Sequence, residues 1–152
     1  KRGKVDCVVT QNIDGLHQKA GSVHVLELHG TTRRNHCLDC GKAYPLEHIL
    51  RSEGVPRCDC GGIVRPEVVL YEEPLDEAVT LEAVRRIQAA DLLIVGGTSL
   101  QVYPAAAYVR LCPGRLVIIN RDETPYDRFA DLVIRDRIGQ VFSALMGVLG
   151  GG

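Results

Sequence analysis

The sequence predicts an α/β fold, a doubly wound parallel sheet with a small module inserted into it, on three observations. Short apolar runs bounded by turn residues recur along the chain and read as buried strands. Segments with helical spacing lie between them, and strands alternating with helices imply parallel pairing. A polar, turn-rich segment, 36–65, interrupts the alternation and holds four of the six cysteines.

Taken in order, the first run is Val5 to Val9, which passes into Thr10-Gln11-Asn12-Ile13-Asp14 and then into a short helical stretch closed by Gly21. Val25 to Leu28 leads to His29 and Gly30. Inside the inserted segment only Pro45 to Glu53 suggests a helix. Val68 to Leu70 reads as the next strand, and Leu75 to Ala90 as a helix with Val79, Ala83, Val84 and Ile87 on one face. Leu92 to Val95 is a strand ending in Gly96-Gly97-Thr98-Ser99. Pro104 to Leu111 is a helix with proline in its first turn. The strand Leu116 to Ile119 ends in Asn120, and Leu132 to Ile134 follows. The last helix, Ile138 to Leu149, sets Ile138, Val141, Phe142, Leu145 and Leu149 on one stripe, and Gly150-Gly151-Gly152 reads as a flexible end.

Composition narrows the function classes. The chain has 152 residues, 45% hydrophobic and 24% charged, enough apolar material for one core. Net charge is only -1 and no Lys/Arg run occurs, so the footprint of a nucleic-acid or anionic-membrane binder is missing. No apolar stretch approaches the roughly 20 residues of a spanning helix, and a soluble protein is expected. Six cysteines fall well below the roughly 8–10% of disulfide scaffolds, which points to a reducing compartment and a cytoplasmic location. Lys1-Arg-Gly-Lys opens the chain without a methionine and runs almost at once into an apolar strand, as if a longer domain were entered part-way.

Cys37-Leu-Asp-Cys40 is followed after seventeen residues by Cys58-Asp-Cys60 and Gly61-Gly62. Two close thiol pairs at that separation, with glycines tightening a knuckle, suit tetrahedral zinc, which would replace the core this segment lacks. The second pair is C-x-C rather than C-x-x-C, so disulfides, or a site completed by His36 or Asp59, are the alternatives. Four cysteine ligands leave no open position, and a zinc here is structural. Cys7 and Cys112 stand apart as small apolar residues.

Parallel sheets bind ligands beyond the carboxyl ends of their strands, and three ends here are unusually polar. They are Gln11-Asn12-Ile13-Asp14, the small-residue turn Gly97-Thr98-Ser99, and Asn120. Each has a plain structural reading too. Asp14 can cap the helix after it, the glycines can serve an ordinary strand-to-helix turn, and His29 can be a strand-end histidine.

In combination these residues resemble the sirtuins, the NAD-dependent protein deacylases. Thr10-Gln-Asn-Ile-Asp14-Gly-Leu-His, Glu27-Leu-His29-Gly-Thr, the paired cysteines, Arg65-Pro, Gly97-Thr-Ser-Leu100 with Pro104, and Ile119-Asn120 stand in that family's order over nearly the whole chain. The resemblance implies a Rossmann-like NAD-binding domain over 1–35 and 66–152, lacking its N-terminal part, and a zinc module over 36–65. It implies that His29 is the general base, that Asn12 and Asp14 position the nicotinamide ribose, a water and the carboxamide, and that Gln11 touches the same ribose. Gly97, Thr98, Ser99 and Asn120 would hold the adenosine side of NAD.

Val69, Leu70, Tyr71 and Glu73, with Val102 beside Tyr103, would flank an acyl-lysine peptide added as a strand. Glu72 stands where the family has glycine, which puts the shape of that groove in question. The resemblance also implies an upstream Gly-Ala-Gly phosphate loop and an Asp-Phe-Arg segment that this chain does not contain, so weak NAD binding by the 152 residues alone is expected. The expected activity is deacylation of protein lysine, with the acyl group passed to ADP-ribose. Mono-ADP-ribosyl transfer and a non-catalytic zinc- and NAD-binding module are the alternatives.

Overall fold

The computed structural model describes residues 4–150, so Gly151 and Gly152 of the expected flexible end lie outside the described residues. Two compact units divide between Ala83 and Val84.

In the first unit, β1 (Val8–Thr10) pairs in parallel with β2 (Val25–Glu27), Val8 opposite Val25 and Thr10 opposite Glu27. The short helix α1 (Leu16–Lys19) makes the crossover. The chain then turns through Leu28 and His29 into β3 (Gly30–Cys37), the centre of an antiparallel sheet. Its neighbours are β4 (Ala43–Pro45) and β5 (Val64–Val68), in the order β4-β3-β5, with α2 (Leu46–Arg51) between them in sequence. Gly30 is required at the turn. Its φ is 74, and a Cβ there would stand 1.9 Å from the Glu67 carbonyl oxygen of β5. The next helix, α3 (Glu77–Gln88), starts where the Asp76 carboxylate accepts the Val79 N–H at 2.9 Å.

The second unit is a parallel sheet of β6 (Leu92–Gly96), β7 (Arg115–Ile119) and β8 (Leu132–Ile134), in the order β6-β7-β8. The helix α4 (Ala105–Tyr108), continued by a 3-10 turn over Val109–Leu111, links β6 to β7, and α5 (Ile138–Gly150) follows β8. One sheet face carries the core. Leu93 lies opposite Leu116 and Val95 opposite Ile118, packed with Leu100, Ala106, Val109 and Tyr126.

Differences from expectation are instructive. The strand expected over Val5–Val9 is Val8–Thr10, and that over Val68–Leu70 ends at Val68. The largest surprise is β3, which runs through Thr31-Thr-Arg-Arg-Asn35. A polar strand forms because small polar side chains point inward with partners: the Asn35 amide donates to the Thr32 and Tyr44 carbonyls at 3.2 and 3.4 Å. The parallel strands fall into two sheets, and the strands are not all covered on both faces, since Ile94 and Leu132 are 42% and 51% exposed. The α5 stripe is also open, with Phe142 and Leu145 exposed. No helix among the described residues is long and apolar enough to cross a membrane.

Candidate functional site

The strand-end segment Gln11–Asp14 owes its form to backbone groups that the sheet captures. The Thr10 hydroxyl accepts the Asn12 N–H at 3.1 Å, a local turn that lifts the chain off β1. Leu28 N–H donates to the Thr10 carbonyl at 2.9 Å. Three residues on, the Ile13 carbonyl accepts both the N–H and the hydroxyl of Thr32, at 3.0 and 3.1 Å. With the Thr10 and Ile13 carbonyls held by these bonds, Asn12 and Asp14 are left exposed.

His29 completes this group. Its Nδ1 lies 3.0 Å from the Gln11 carbonyl. A carbonyl can only accept, so this bond places the ring proton on Nδ1 and leaves the Nε2 lone pair available to take a proton. The ring is half-buried, beside the segment that carries the exposed amide and carboxylate. Asp14 has a structural part as well, its Oδ1 accepting the Leu16 N–H at 2.9 Å at the start of α1. That bond occupies one carboxylate oxygen.

The turn after β5 is joined to the same place. Val69 N–H donates to the His29 carbonyl at 3.0 Å, and Glu73 N–H to the Leu70 carbonyl at 3.1 Å. Between them Tyr71 is fully exposed and Glu72 adopts φ 71, a left-handed conformation that favours glycine. Glu73 is exposed but folds back onto its own turn. Its carboxylate accepts two bonds from Arg65, at 2.8 and 3.1 Å, and the Leu70 N–H at 2.9 Å. The Arg65 guanidinium, then the Leu70 amide, hold this carboxyl down to about 2.

In the second unit the carboxyl ends of neighbouring strands bring Gly97, Thr98, Ser99 and Asn120 together. Gly97 N–H donates to the Ile119 carbonyl at 3.0 Å, next to Asn120. Gly97 and Leu100 both have positive φ, 66 and 54, and the Thr98 hydroxyl accepts the Leu100 N–H at 3.2 Å. Leu100 is held in this unfavourable form by burial in the core. The Asn120 amide donates to the Asp122 carbonyl at 2.9 Å, a bond that does not use its side-chain oxygen. Val102 is exposed, and the Tyr103 hydroxyl meets that of buried Tyr126 at 3.2 Å.

Sequence reasoning missed what braces Asn120. Asp127 accepts from the Thr124 N–H and hydroxyl and pairs with Arg135, which also donates to the Asp122 carbonyl at 3.0 Å. Arg135 foremost, and Thr124, hold the Asp127 carboxyl at about 2. The signal was present in Thr124-Pro-Tyr-Asp127, a capping-box spacing with proline at the first position.

The cysteines form a third group. The Sγ atoms of Cys37, Cys40, Cys58 and Cys60 all lie within 4.8 Å of one another. Cys37 to Cys60 and Cys40 to Cys58 are 3.5 Å apart, and Cys60 to Cys40 is 3.6 Å. A disulfide needs about 2.05 Å, whereas sulfurs about 2.3 Å from one tetrahedral zinc sit about 3.8 Å apart. The residues therefore fit the metal and not the bridges. Each pair rides on a knuckle: Gly41 N–H donates to the Cys37 carbonyl at 3.0 Å and Gly61 N–H to the Cys58 carbonyl at 2.8 Å. The Tyr44 hydroxyl donates to Cys58 Sγ at 3.1 Å and leads in lowering that thiol to about 6. For Cys60 the Gly62 amide pulls downward, but the thiols of Cys58, Cys37 and Cys40 outweigh it and push the group up to about 12. Four such sulfurs can all ionise together only around a cation.

A family model described as the Sir2 family matches residues 1–104. An NAD-dependent protein deacetylase of Cutibacterium acnes is 60% identical over 146 residues, covering 95% of this chain and 60% of the relative. That of Clostridium acetobutylicum is 55% identical over 149 residues, 96% of this chain and 61% of the relative. The chain thus spans about 60% of the length of these curated relatives. Among solved structures, Sir2 with a p53 peptide and NAD+ superposes at a TM-score of 0.91 with 40% identity, covering 97% of this chain and 65% of that one. Sir2Tm bound to a propionylated peptide gives 0.93 and 40%, covering 99% and 67%.

Proposed function

The chain belongs to the Sir2 family, and from that premise we propose that the protein it forms is an NAD-dependent protein-lysine deacylase. NAD serves as a consumed co-substrate. The observation that carries the reading is the bond of His29: its Nδ1 proton is committed to the Gln11 carbonyl at 3.0 Å, in the segment that carries exposed Asn12 and Asp14, and its other ring nitrogen is left to act as a base. A module that only bound nucleotide would have no use for a base held in this form. The relatives are NAD-dependent protein deacetylases, which favours acyl transfer over ADP-ribosylation of protein.

In this reading, bound NAD supplies the sugar carbon that accepts the acyl oxygen as nicotinamide leaves. The chain's own residues do the rest. His29 Nε2 takes a proton from a ribose hydroxyl, and the Nδ1–H bond to Gln11 steadies the charge the ring then carries. Asn12 and the free oxygen of Asp14 hold the ribose, a water and the carboxamide, with Gln11 on the same sugar. Gly97, Thr98 and Ser99 present backbone and hydroxyl groups to the adenosine side, and Asn120 its amide oxygen. Val69, Leu70 and Tyr71 receive an acyl-lysine peptide in extended form, and Val102 is a further substrate-binding residue.

Cys37, Cys40, Cys58 and Cys60 hold a structural zinc. The NAD-binding domain comprises 1–35 and 66–152, with 36–65 as the zinc module. Free-thiol chemistry fits the cytoplasm. The experiment is product analysis with an acetyl-lysine peptide and NAD: O-acyl-ADP-ribose supports the reading, while a protein that gains ADP-ribose replaces it with the transferase.

A further inference from the structure

We propose that Arg65 is a positioning residue that presets the peptide-binding turn against His29, an inference that rests on the deacylase reading. The guanidinium makes three bonds to two groups. Nη2 donates to the Val68 carbonyl at 2.7 Å and to Glu73 Oε2 at 3.1 Å, while Nη1 donates to Glu73 Oε1 at 2.8 Å. Glu73 Oε2 in turn accepts the Leu70 N–H at 2.9 Å. One clasp therefore spans the end of β5 and both ends of the turn Leu70–Glu73.

That turn needs a clasp. Glu72 at φ 71 occupies the position where such a turn prefers glycine, so the backbone relaxes if nothing holds it. The residue just before the turn, Val69, is bonded to the His29 carbonyl at 3.0 Å. Arg65 thus fixes the edge that receives the acyl-lysine peptide relative to the residue that carries the base. Its contacts do not include the Gln11–His29 bond, so the base is left intact when the clasp is lost. Peptide binding suffers, because the ordering that Arg65 provides in advance must then be supplied on association. Lysine does not substitute, since an ammonium cannot span a carboxylate edge and a carbonyl as the planar fork does.

Steady-state kinetics on the full-length protein test this, with an acetyl-lysine peptide, nicotinamide release as the signal, and Arg65→Lys, Arg65→Ala and Glu73→Ala as variants. The expected result is a peptide KM raised about tenfold in each, with the NAD KM within about twofold of wild type and zinc content unchanged, as for loss of a preformed bidentate contact. Arg65→Lys keeps charge and stem, and carries the test if an alanine variant does not fold. Unchanged peptide KM, or equal rises for peptide and NAD, overturns the inference alone. A wild-type protein that releases no nicotinamide overturns the deacylase reading and the inference with it.

Discussion

His29 and Glu72 show how one side chain or one dihedral sets local behaviour. For His29, what matters is that the Gln11 carbonyl takes the Nδ1 proton. Substituting asparagine, which keeps a donor near that carbonyl but offers no basic nitrogen, should leave the melting temperature near wild type and abolish turnover. Near-normal turnover in that variant would remove His29 from the chemistry. Glu72 makes the opposite kind of prediction. A left-handed conformation costs an ordinary residue roughly 1–2 kcal/mol, partly offset by the greater unfolded-state freedom of glycine, so Glu72→Gly should stabilise by about 1 kcal/mol. For a domain of this size that is a rise of about 2–4 °C, read by thermal unfolding. No rise would mean the turn is not strained. At this scale the sequence displayed residue types well and states poorly. His29 stood out beside its polar neighbours, but its tautomer depends on a carbonyl eighteen positions earlier, which spacing does not reveal.

At the scale of elements, two devices hold polar loops in shape. The first is the cysteine cluster, whose apolar company among the described residues is Val64, Tyr44 and Ile49. Such a small core cannot order β3, β4 and β5 alone. Metal analysis should find about one zinc per chain, and its removal by a chelator should melt the antiparallel sheet and release four reactive thiols. Retention of the full melting temperature without zinc would contradict this. The second device is the pair of buttressed carboxylates, Glu73 under Arg65 and Asp127 under Arg135, both held at about 2. Because their folded values lie below the ordinary 4.5 and 3.8, their stabilisation is present above about pH 4.5 and is lost as pH falls towards about 2. A Glu73→Gln/Asp127→Asn variant should show a flatter fall in melting temperature over that range, and an identical slope would refute the link. Element types were legible where apolar runs were continuous, as in β6 and β7. They were hidden in β3, whose inward side chains are Thr31, Asn35 and Cys37, because hydropathy does not register a strand that buries small polar groups.

Across the whole molecule, each of the two units carries motifs of the same family. The first holds His29, the turn Leu70–Glu73 and the cysteine cluster, and the second holds the strand-end turn Gly97–Ser99 with Asn120. Recognition from sequence worked at this scale because each motif sits at a strand end or a knuckle, where backbone geometry dictates residue type. What could not be read were the braces, Arg65 to Glu73 and Arg135 to Asp127, because a salt bridge eight residues apart outside a helix leaves no periodic trace. The most direct measurement is mass spectrometry of the products formed from NAD and an acetyl-lysine peptide by the full-length protein, beside its His29→Ala variant. Equal amounts of free nicotinamide and O-acyl-ADP-ribose with wild type, and neither with the variant, are predicted. O-acyl-ADP-ribose formed equally well without the histidine, or no nicotinamide from the wild type, would contradict the assignment.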